Sequence, residues 1–157
     1  MPLTARHVRD SRTTQVQIVM SEHINGSGRL FGGRLMEWID VVAGVTARRH
    51  AHCNVSTVCV DELVFKAPAF VNDTLVLVGQ VTSVGHTSLE VRVDTFIESM
   101  DGGKRLANRA YLVMVALDEN GEPTEVPGLV LETEEERAEW ADGERRRLMR
   151  KERRARP

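Results

Sequence analysis

The spacing of hydrophobic residues changes period along the chain and divides it into segments. Residues 13–20 alternate apolar and polar side chains, which predicts a β-strand. Residues 32–50 have apolar side chains on nearly every side of a helix and contain no proline, so they predict one long helix that is buried rather than exposed. A helix of this length spans about 28 Å at 1.5 Å per residue.

From residue 55 onward the period changes to two, which is typical of antiparallel strands. The predicted strands cover residues 55–68, 75–84, 88–99 and 105–117, and the first of them is interrupted near Asp61 and Glu62. We expect Gly85 to supply the positive φ of the hairpin between the second and third of these strands. The third strand is predicted to have two faces: Leu89, Val91 and Val93 toward the core, and Glu90, Arg92 and Asp94 toward solvent.

The two ends of the chain are polar. We expect residues 1–12 to be loosely held and residues 129–157 to form a charged helical tail outside the core, with Thr133 as its N-cap. Residues 13–128 then form one α+β domain, because a helix that is apolar nearly all round must be wrapped by a curved antiparallel sheet. One small sheet cannot easily surround such a helix on every side. We therefore expect a second copy of the chain to complete its burial, in a homodimer at least.

Composition narrows the class of protein. With 157 residues, 41% of them hydrophobic and 28% charged, the chain fits a single soluble globular domain. Residues 1–10 lack the apolar core of a signal peptide, and no apolar run is long enough to span a membrane. Cys53 and Cys59 suggest neither a disulfide framework nor a zinc site, so we expect a cytoplasmic protein without a metal.

Charge is distributed unevenly along the chain. Residues 145–156 carry eight Lys and Arg against one Glu, a net charge of +7, whereas the whole chain has a net charge of −2. This tail is either a solvated helix end or a surface that attracts polyanions such as phosphate-bearing ligands. Nucleic acid is the weaker of the polyanion candidates, since no aromatic residues are interleaved to stack bases.

One carboxylate stands out within the predicted buried helix. Asp40 lies between Ile39 and Val41, and a lone buried carboxylate is costly unless it is paired, hydrogen-bonded or used in chemistry. The purely structural alternative is an ion pair with a buried arginine or the capping of a backbone group. For Asn25, in the glycine-containing loop before the helix, the structural alternative is a role in forming the local turn. For the glycine pair 32–33, the structural alternative is close packing.

The loop and the helix together carry the pattern N-x-x-G-x-x-x-G-G, followed seven residues later by an aspartate. The pattern consists of Asn25, Gly28, Gly32, Gly33 and Asp40. Together with the order of elements, it resembles the hotdog fold, and within it the acyl-CoA thioesterases of the YciA and brain acyl-CoA hydrolase type. The resemblance covers about residues 13–128 and includes segments 82–91 and 108–127. It implies a homodimer at least and, in its larger form, a trimer of dimers.

The resemblance also implies a reaction, the hydrolysis of a fatty acyl-CoA to free fatty acid and CoA. No cofactor is expected, because CoA is part of the substrate and of the product. Asp40 is the expected general base, since desolvation makes a carboxylate a stronger base near neutral pH. Asn25, contributed by the other protomer, is expected to hold the attacking water or to polarise the thioester carbonyl. The backbone N–H of Gly33 at the helix N-terminus is expected to stabilise the oxyanion.

Further residues are implied to contact the substrate. We expect these to be Phe31, Gly32, Lys66, His86, Thr87, Ser88 and Arg109. His86 is a departure, since members of the family often have a basic residue at this place in the hairpin. The alternative function is a non-catalytic acyl-CoA-binding module that senses its ligand. A hotdog dehydratase is disfavoured, because no histidine lies between residues 24 and 49.

Overall fold

The computed structural model describes residues 3–156, which form a five-stranded antiparallel sheet with a long helix on each face. The strands are β1 (Arg6–His7), β2 (Thr13–Ile18), β3 (Asn54–Phe65), β4 (Thr74–Val84), β5 (Ser88–Glu98), β6 (Lys104–Leu117) and β7 (Leu129–Val130). The helices are α1 (Val8–Ser11), α2 (Gly32–Ala51) and α3 (Glu134–Ala155). The strand order of the large sheet is β2-β4-β5-β6-β3, and β1 pairs separately with β7. The predicted α+β hotdog class is confirmed.

The inner face of the sheet, defined as the face that contacts α2, carries the apolar core. Buried residues of α2, including Leu35, Ile39 and Val42, pack against buried residues of the strands such as Leu77 and Leu112. The helix lies close to β4 because Gly79 has no side chain. A Cβ atom at Gly79 would lie 2.5 Å from Thr46 Oγ1 and 2.9 Å from Val42 Cγ1. The helix ends as His52 adopts a left-handed conformation and donates its N–H to Arg48 O at 2.8 Å.

One side of α2 is not covered within a single chain. Met36 is 41% exposed and Val41 is 51% exposed, and Asp40 between them is exposed as well. This open side is consistent with the expectation that one sheet cannot surround the helix and that a second copy of the chain completes its burial. The sheet curves around only part of the helix, so these three residues lie on the side that it leaves open.

The outer face of the sheet, defined as the face that contacts α3, is also buried. Glu90, Arg92 and Asp94 of β5 are only 2%, 8% and 4% exposed, so the prediction that they face solvent is wrong. Helix α3 supplies charged partners for two of them, Arg146 for Glu90 and Glu139 for Arg92, whereas Asp94 pairs with Arg92 and with Arg109 of β6. The predicted helical tail itself forms, and the side chain of Thr133 accepts a hydrogen bond from Glu136 N as an N-cap.

The N-terminal segment is ordered by contacts that its polar composition did not reveal. Arg6–His7 pairs in parallel with Leu129–Val130, and Val8 of α1 is 1% exposed. The expectation of a loosely held N-terminus is therefore wrong for residues 6–11. The expectation for Gly85 is also wrong, because the described glycines with positive φ are Gly28, Gly102 and Gly121. Among the described residues, no helix combines the length and apolar character needed to cross a membrane.

Candidate active site

Asp40 lies near the middle of α2 and points toward β3. Its Oδ1 atom accepts a hydrogen bond of 2.7 Å from the hydroxyl of Thr57. Within residues 3–156 Asp40 forms no ion pair, so the alternative of a buried arginine partner does not apply to the single chain. A carboxylate that is hydrogen-bonded through one oxygen keeps lone pairs on the other oxygen for a further partner.

Thr57 faces Asp40 because β3 departs from regular alternation. Thr57 is paired with Met114 and Cys59 with Val113, so one extra residue of β3 is accommodated at this point. In a regular strand Thr57 and Cys59 would lie on the same face, but here Thr57 faces α2 whereas Cys59 lines a groove beside α3. A second shift between Val60 and Glu62 confirms the predicted interruption of this strand. Sequence analysis did not identify Thr57 as a site residue. The only signal for it in the sequence was the interruption of this strand's pattern.

Two cavities meet at Asp40 and Thr57. One has a volume of about 270 Å³ and is otherwise lined by apolar side chains: Met36, Ile39, Val60, Leu63 and Leu112. The other has a volume of about 550 Å³ and includes the guanidinium-bearing Arg48 and the hydroxyl-bearing Ser56. The carboxylate therefore lies where an apolar chain and a polar group of one ligand could be accommodated side by side.

Asn25 is fixed by the loop that it organises. Its Oδ1 atom accepts hydrogen bonds from Ser27 N at 2.9 Å, Ser27 Oγ at 2.8 Å and Arg29 N at 3.2 Å. Because backbone N–H groups can only donate, the oxygen of the amide must face them and the NH₂ group must face away. This NH₂ group has no acceptor among the described residues. Asn25 therefore does form the local turn. That role uses only the amide oxygen, so the two N–H donors of the NH₂ group stay free and fixed in direction.

The glycine pair opens α2. Gly32 and Gly33 are the first two helical residues after Phe31, and the N–H groups of a first helical turn have no carbonyl partner within the helix. A Cβ atom at Gly33 would lie 2.6 Å from Cε1 of Phe31, whereas one at Gly32 would meet nothing within 4 Å. Close packing thus accounts for Gly33, through the half-exposed ring of Phe31, but not for Gly32.

The two cationic residues that were predicted to contact the substrate differ in whether their charge is free to bind a ligand. Lys66 is exposed just after β3. Arg109 on β6 instead forms a bidentate ion pair with Asp94, with distances of 2.7 Å from Nε to Oδ1 and 2.9 Å from Nη2 to Oδ2. The hydrogen bonds that Arg109 donates to Asp94 raise the pKa of Arg109 above its usual value. The guanidinium of Arg109 is therefore engaged within the sheet, which argues against the expected contact with substrate.

The hairpin residues lie apart from Asp40 in the single chain. His86 is exposed at the tip, and Thr87 and Ser88 line a groove beside the arginines of α3. The residues that line the two cavities at Asp40, in the described part of one chain, do not include Asn25 or the glycine pair 32–33. Apart from Lys66 and Arg109, the predicted site residues thus form three separate groups within one protomer: the carboxylate, the loop with the helix N-terminus, and the hairpin.

Another cavity, of about 770 Å³, lies elsewhere, at the C-terminal end of α2. It is an open, polar groove beside Arg48, His52 and Asp118, without the apolar lining found next to Asp40. Across residues 3–156, no three His, Cys, Asp or Glu side chains lie together in a way that could hold a metal ion. The chemistry available near α2 is thus that of a carboxylate, a hydroxyl and amide donors.

Comparison with known proteins identifies the family. Residues 27–104 match a family model described as the thioesterase superfamily. An acyl-CoA thioester hydrolase of Bacillus subtilis, YkhA, named as uncharacterised, is 39% identical over 132 residues, which are 83% of this chain and 77% of that protein. The cytosolic acyl coenzyme A thioester hydrolase of Rattus norvegicus is 30% identical over 145 residues, which are 90% of this chain but 38% of that protein.

Solved structures agree with this assignment over nearly the whole chain. An apo-hexameric acyl-CoA thioesterase has a TM-score of 0.93 at 38% identity, covering 98% of this chain and 99% of that chain. The acyl-CoA hydrolase of Staphylococcus aureus, in complex with butyryl coenzyme A, coenzyme A and coenzyme A disulfide, has a TM-score of 0.92 at 33% identity. That comparison covers 96% of this chain and 93% of that chain.

Three alanine variants of the Staphylococcus aureus hydrolase have been solved as well, replacing an asparagine, an aspartate or a threonine. In that protein the aspartate follows the asparagine by 15 positions and the threonine follows the aspartate by 17 positions. Asn25, Asp40 and Thr57 have the same two spacings. The chain therefore belongs to the thioesterase superfamily, as a thioester hydrolase with the hotdog fold.

Proposed function

We propose that this protein hydrolyses fatty acyl-CoA to free fatty acid and CoA, with Asp40 as the general base. The observation that carries the proposal is the position of the Asp40 carboxylate, hydrogen-bonded by Thr57 where an apolar cavity and a cavity of mixed polarity meet. The apolar cavity suits an acyl chain, and the mixed one suits the pantetheine arm, which has both apolar and amide groups. The names of its relatives, which are acyl-CoA thioester hydrolases, support the same substrate class.

In the proposed reaction, Asp40 takes a proton from a water molecule as the water oxygen attacks the thioester carbonyl carbon. The hydrogen bond from Thr57 holds Oδ1, so that Oδ2 faces the water. The carbonyl oxygen becomes negative in the tetrahedral intermediate. The C–S bond then breaks, the carbonyl re-forms, and the thiolate of CoA takes the proton that Asp40 had accepted. The carboxylate is thereby returned to its starting state without a covalent intermediate.

The developing oxyanion needs hydrogen-bond donors. The free NH₂ group of Asn25 and the N–H groups of Gly32 and Gly33 are donors of the required kind, and preorganised donors of this type lower barriers by about 3 kcal/mol each. We place them in the site from the partner, as Asn25 of the partner subunit, because in one chain they line neither cavity at Asp40. Gly33 therefore keeps its proposed role alongside its packing against Phe31.

The proposed assembly is at least a dimer, formed across the uncovered side of α2 and the edge strand β3. Met36 and Val41 of the helix are exposed there, and Val60 and Val64 of the strand are 41% and 45% exposed. An exposed apolar edge strand is normally covered in the functional assembly. Relatives of this chain are hexameric, so a trimer of dimers is the proposed complete form.

The test is thiol release from acyl-CoAs of graded chain length by the wild type and by Asp40→Asn. Loss of a general base is expected to lower kcat by about 10²–10⁴-fold. Thr57→Val is expected to lower kcat by about tenfold, because one hydrogen bond to a charged group is lost while the side chain keeps its shape. CoA binding by the wild type without any turnover would contradict the proposal and favour the ligand-sensing module.

Mixing two inactive variants tests the shared site. If each site combines Asp40 of one protomer with Asn25 of its partner, dimers of Asp40→Asn with Asn25→Ala contain one intact site. Random re-assembly of equal amounts is then expected to restore about a quarter of wild-type activity, since half of the symmetric dimers become mixed. If both residues act within one chain, the mixture stays inactive.

A further inference from the structure

The apolar cavity of about 270 Å³ beside the candidate base ends inside a single protomer. On its open side it is lined by Met36 and Val60, which are each 41% exposed. On its closed side it is lined by Ile39 and Leu112, which are each 2% exposed, and by the half-buried Leu63. The proposed dimer covers only the open side, so residues of one chain set the depth of the cavity.

The volume of the cavity gives the size of the acyl chain that fits. A dry cavity of about 150 Å³ lined by aliphatic and aromatic side chains holds a six-carbon ring, which corresponds to about 25 Å³ per carbon. At that ratio a cavity of about 270 Å³ holds about ten carbons. A longer chain would have to continue past the closed side, so the residues behind that side decide whether it is accepted.

The register of the strands shows which residues lie there. On the inner face of the sheet, Ala110 of β6 is paired with Leu63 of β3 at the end of the cavity. The next inner-face residue of β6 is Asn108, about 7 Å beyond Ala110 at 3.3 Å per residue. Asn108 is paired in turn with Thr95 of β5. On β6, only the methyl group of Ala110 lies between the cavity and this pair, so bulk alone is a weak barrier.

Thr95 and Asn108, here called the polar pair, are buried and incompletely hydrogen-bonded. Thr95 is 1% exposed and Asn108 is 0% exposed. The Nδ2 atom of Asn108 donates to Val64 O at 3.1 Å, and because a carbonyl only accepts, Oδ1 faces away from that strand. Among the described residues, neither Oδ1 of Asn108 nor Oγ1 of Thr95 has a hydrogen-bond partner. Two polar atoms without partners therefore lie behind an apolar cavity.

Polar atoms in this position act on an acyl chain differently from a bulky side chain. Within the apolar cavity, each methylene that is buried strengthens binding about fourfold. Buried polar atoms are normally satisfied by ordered water, and a methylene that displaces such a water offers no hydrogen bond in return. The gain per methylene is therefore expected to vanish where the chain reaches the polar pair.

We propose that Thr95 and Asn108 set the upper limit of acyl-chain length, so that chains of up to about ten carbons are preferred and longer ones are rejected by polarity. The nature of the ligand, an acyl chain, rests on the proposed function. The two residues determine specificity from behind the cavity and take no part in the attack on the thioester.

The test uses variants that remove the polar atoms and keep the approximate shape of the side chains. These are Thr95→Val, Asn108→Leu and the double variant. The control is Thr46→Val, which makes the same change at another buried threonine of the inner layer. The hydroxyl of Thr46 donates to Val42 O at 2.8 Å, and Thr46 does not line the cavity. Thermal unfolding checks that every variant is folded.

The measurement is kcat/KM for saturated acyl-CoAs of graded length. We expect the wild type to have its maximum near ten carbons and the double variant to have it at least two carbons higher. The ratio of kcat/KM for a 14-carbon chain to that for a 10-carbon chain should rise at least tenfold in the double variant and less than twofold in Thr46→Val. An unchanged profile in the double variant overturns the proposal, as does an equal shift in the control.

Thr95→Val keeps the proposal testable if Asn108→Leu prevents folding, because it breaks no hydrogen bond within the described chain. Its 14-carbon to 10-carbon ratio is expected to rise at least threefold. A ratio that stays at the wild-type value in folded Thr95→Val and Asn108→Leu overturns the proposal.

Binding of free fatty acids separates this proposal from the proposed function, because it requires no hydrolysis. In calorimetric titrations of the wild type, affinity should rise about fourfold per methylene up to about ten carbons and then level off. In the double variant it should continue to rise. If the wild type hydrolyses no acyl-CoA, the proposed function fails and these titrations decide on the polar pair. Affinity that rises at the same rate beyond ten carbons in the wild type overturns the length limit, even in an active thioesterase.

Discussion

The two faces of the sheet are covered by helices that are attached in opposite ways. The inner face and α2 meet through apolar side chains, and the close approach is made possible by a glycine of the sheet, Gly79. The outer face and α3 meet through charged side chains, and the close approach is made possible by a glycine of the helix, Gly143. A Cβ atom there would lie 2.6 Å from Ser83 Oγ and 3.0 Å from Glu90 Oε1.

The charged contact depends on individual partners. Glu90 Oε1 accepts from the Thr82 hydroxyl at 2.6 Å and from Arg146 Nη2 at 2.8 Å, and Oε2 accepts from Arg146 Nε at 2.9 Å. The same guanidinium lies 3.7 Å above the ring of Tyr111. Burial, and secondarily the charge of Glu139, raise the pKa of Tyr111 to about 12. An apolar contact weakens gradually when one side chain is shortened. Removing one member of this charged network instead leaves its partner as an unpaired buried charge.

The largest expected effect comes from breaking the charged contact. Arg146→Met leaves the carboxylate of Glu90 buried without its guanidinium, and removal of one partner from a buried pair costs about 3–5 kcal/mol in the free energy of unfolding. The control is the neighbouring Arg145→Met. Arg145 pairs with Asp142 at the surface, where its side chain is 71% exposed, so we expect a loss of at most about 1 kcal/mol. Urea unfolding at one protein concentration measures both.

A double variant decides whether charge or shape matters at this contact. Glu90→Leu combined with Arg146→Met removes both charges, and buried ion pairs replaced by apolar residues are often neutral or more stable. We expect the double variant to regain most of the stability lost in Arg146→Met. Equal losses in Arg145→Met and Arg146→Met would mean that the outer face is attached no more specifically than a solvated helix.

The two glycines provide the next contrast. Gly79→Ala places a methyl group against Thr46 and Val42 within the packed core, for which we expect a loss of about 1–3 kcal/mol. Gly143→Ala meets Ser83, with Oγ at 2.6 Å and Cβ at 2.9 Å, but alanine favours the helix over glycine by about 1 kcal/mol, which offsets part of that clash. Its net loss should therefore be smaller. Thermal unfolding of both variants ranks them, and a larger loss at Gly143 would reverse the contrast between the faces.

The elements that form the inner face could be predicted from sequence, because their hydrophobic pattern has only one structural interpretation. The apolar run that predicts a helix over residues 32–50 corresponds to α2 at Gly32–Ala51, and the period-two segments correspond to β3 to β6. The outer face could not be predicted. The alternation of Glu90, Arg92 and Asp94 is the same whether the polar side faces water or a charged helix, so the pattern alone indicates solvent.

The same distinction applies to the candidate site. Asp40 was identifiable because it breaks an apolar run, whereas Thr57 was not, since its orientation depends on an irregular register between β3 and β6. The ion pair of Arg109 could not be predicted, because its partner Asp94 lies on the neighbouring strand, at a register that composition does not reveal. The roles of Asn25 and of the hairpin stay predictions, because they depend on a partner protomer or a ligand.

A pH titration tests a polar contact within the apolar inner layer and has the smallest expected effect. His50 of α2 is fully buried, with Nε2 2.9 Å from Pro127 O. Because a carbonyl oxygen only accepts, Nε2 carries the proton, and Nδ1 has no partner among the described residues. Burial lowers the pKa of His50 in the folded protein. The unfolded chain therefore binds a proton at higher pH than the native state does.

The sign of the pH dependence follows from this difference. Above about pH 6.5 His50 is neutral in both states and does not affect stability. Below that pH the unfolded state gains a proton first, so the free energy of unfolding falls by up to about 1.4 kcal/mol per pH unit. His50→Gln keeps an N–H donor for Pro127 but cannot titrate, and carboxylates titrate alike in both proteins. Urea unfolding between about pH 7.5 and 5.5 should thus show a smaller decline for the variant. Parallel declines would mean that protonation of His50 is tolerated within the fold, and that the inner layer is as permissive to charge as the outer one.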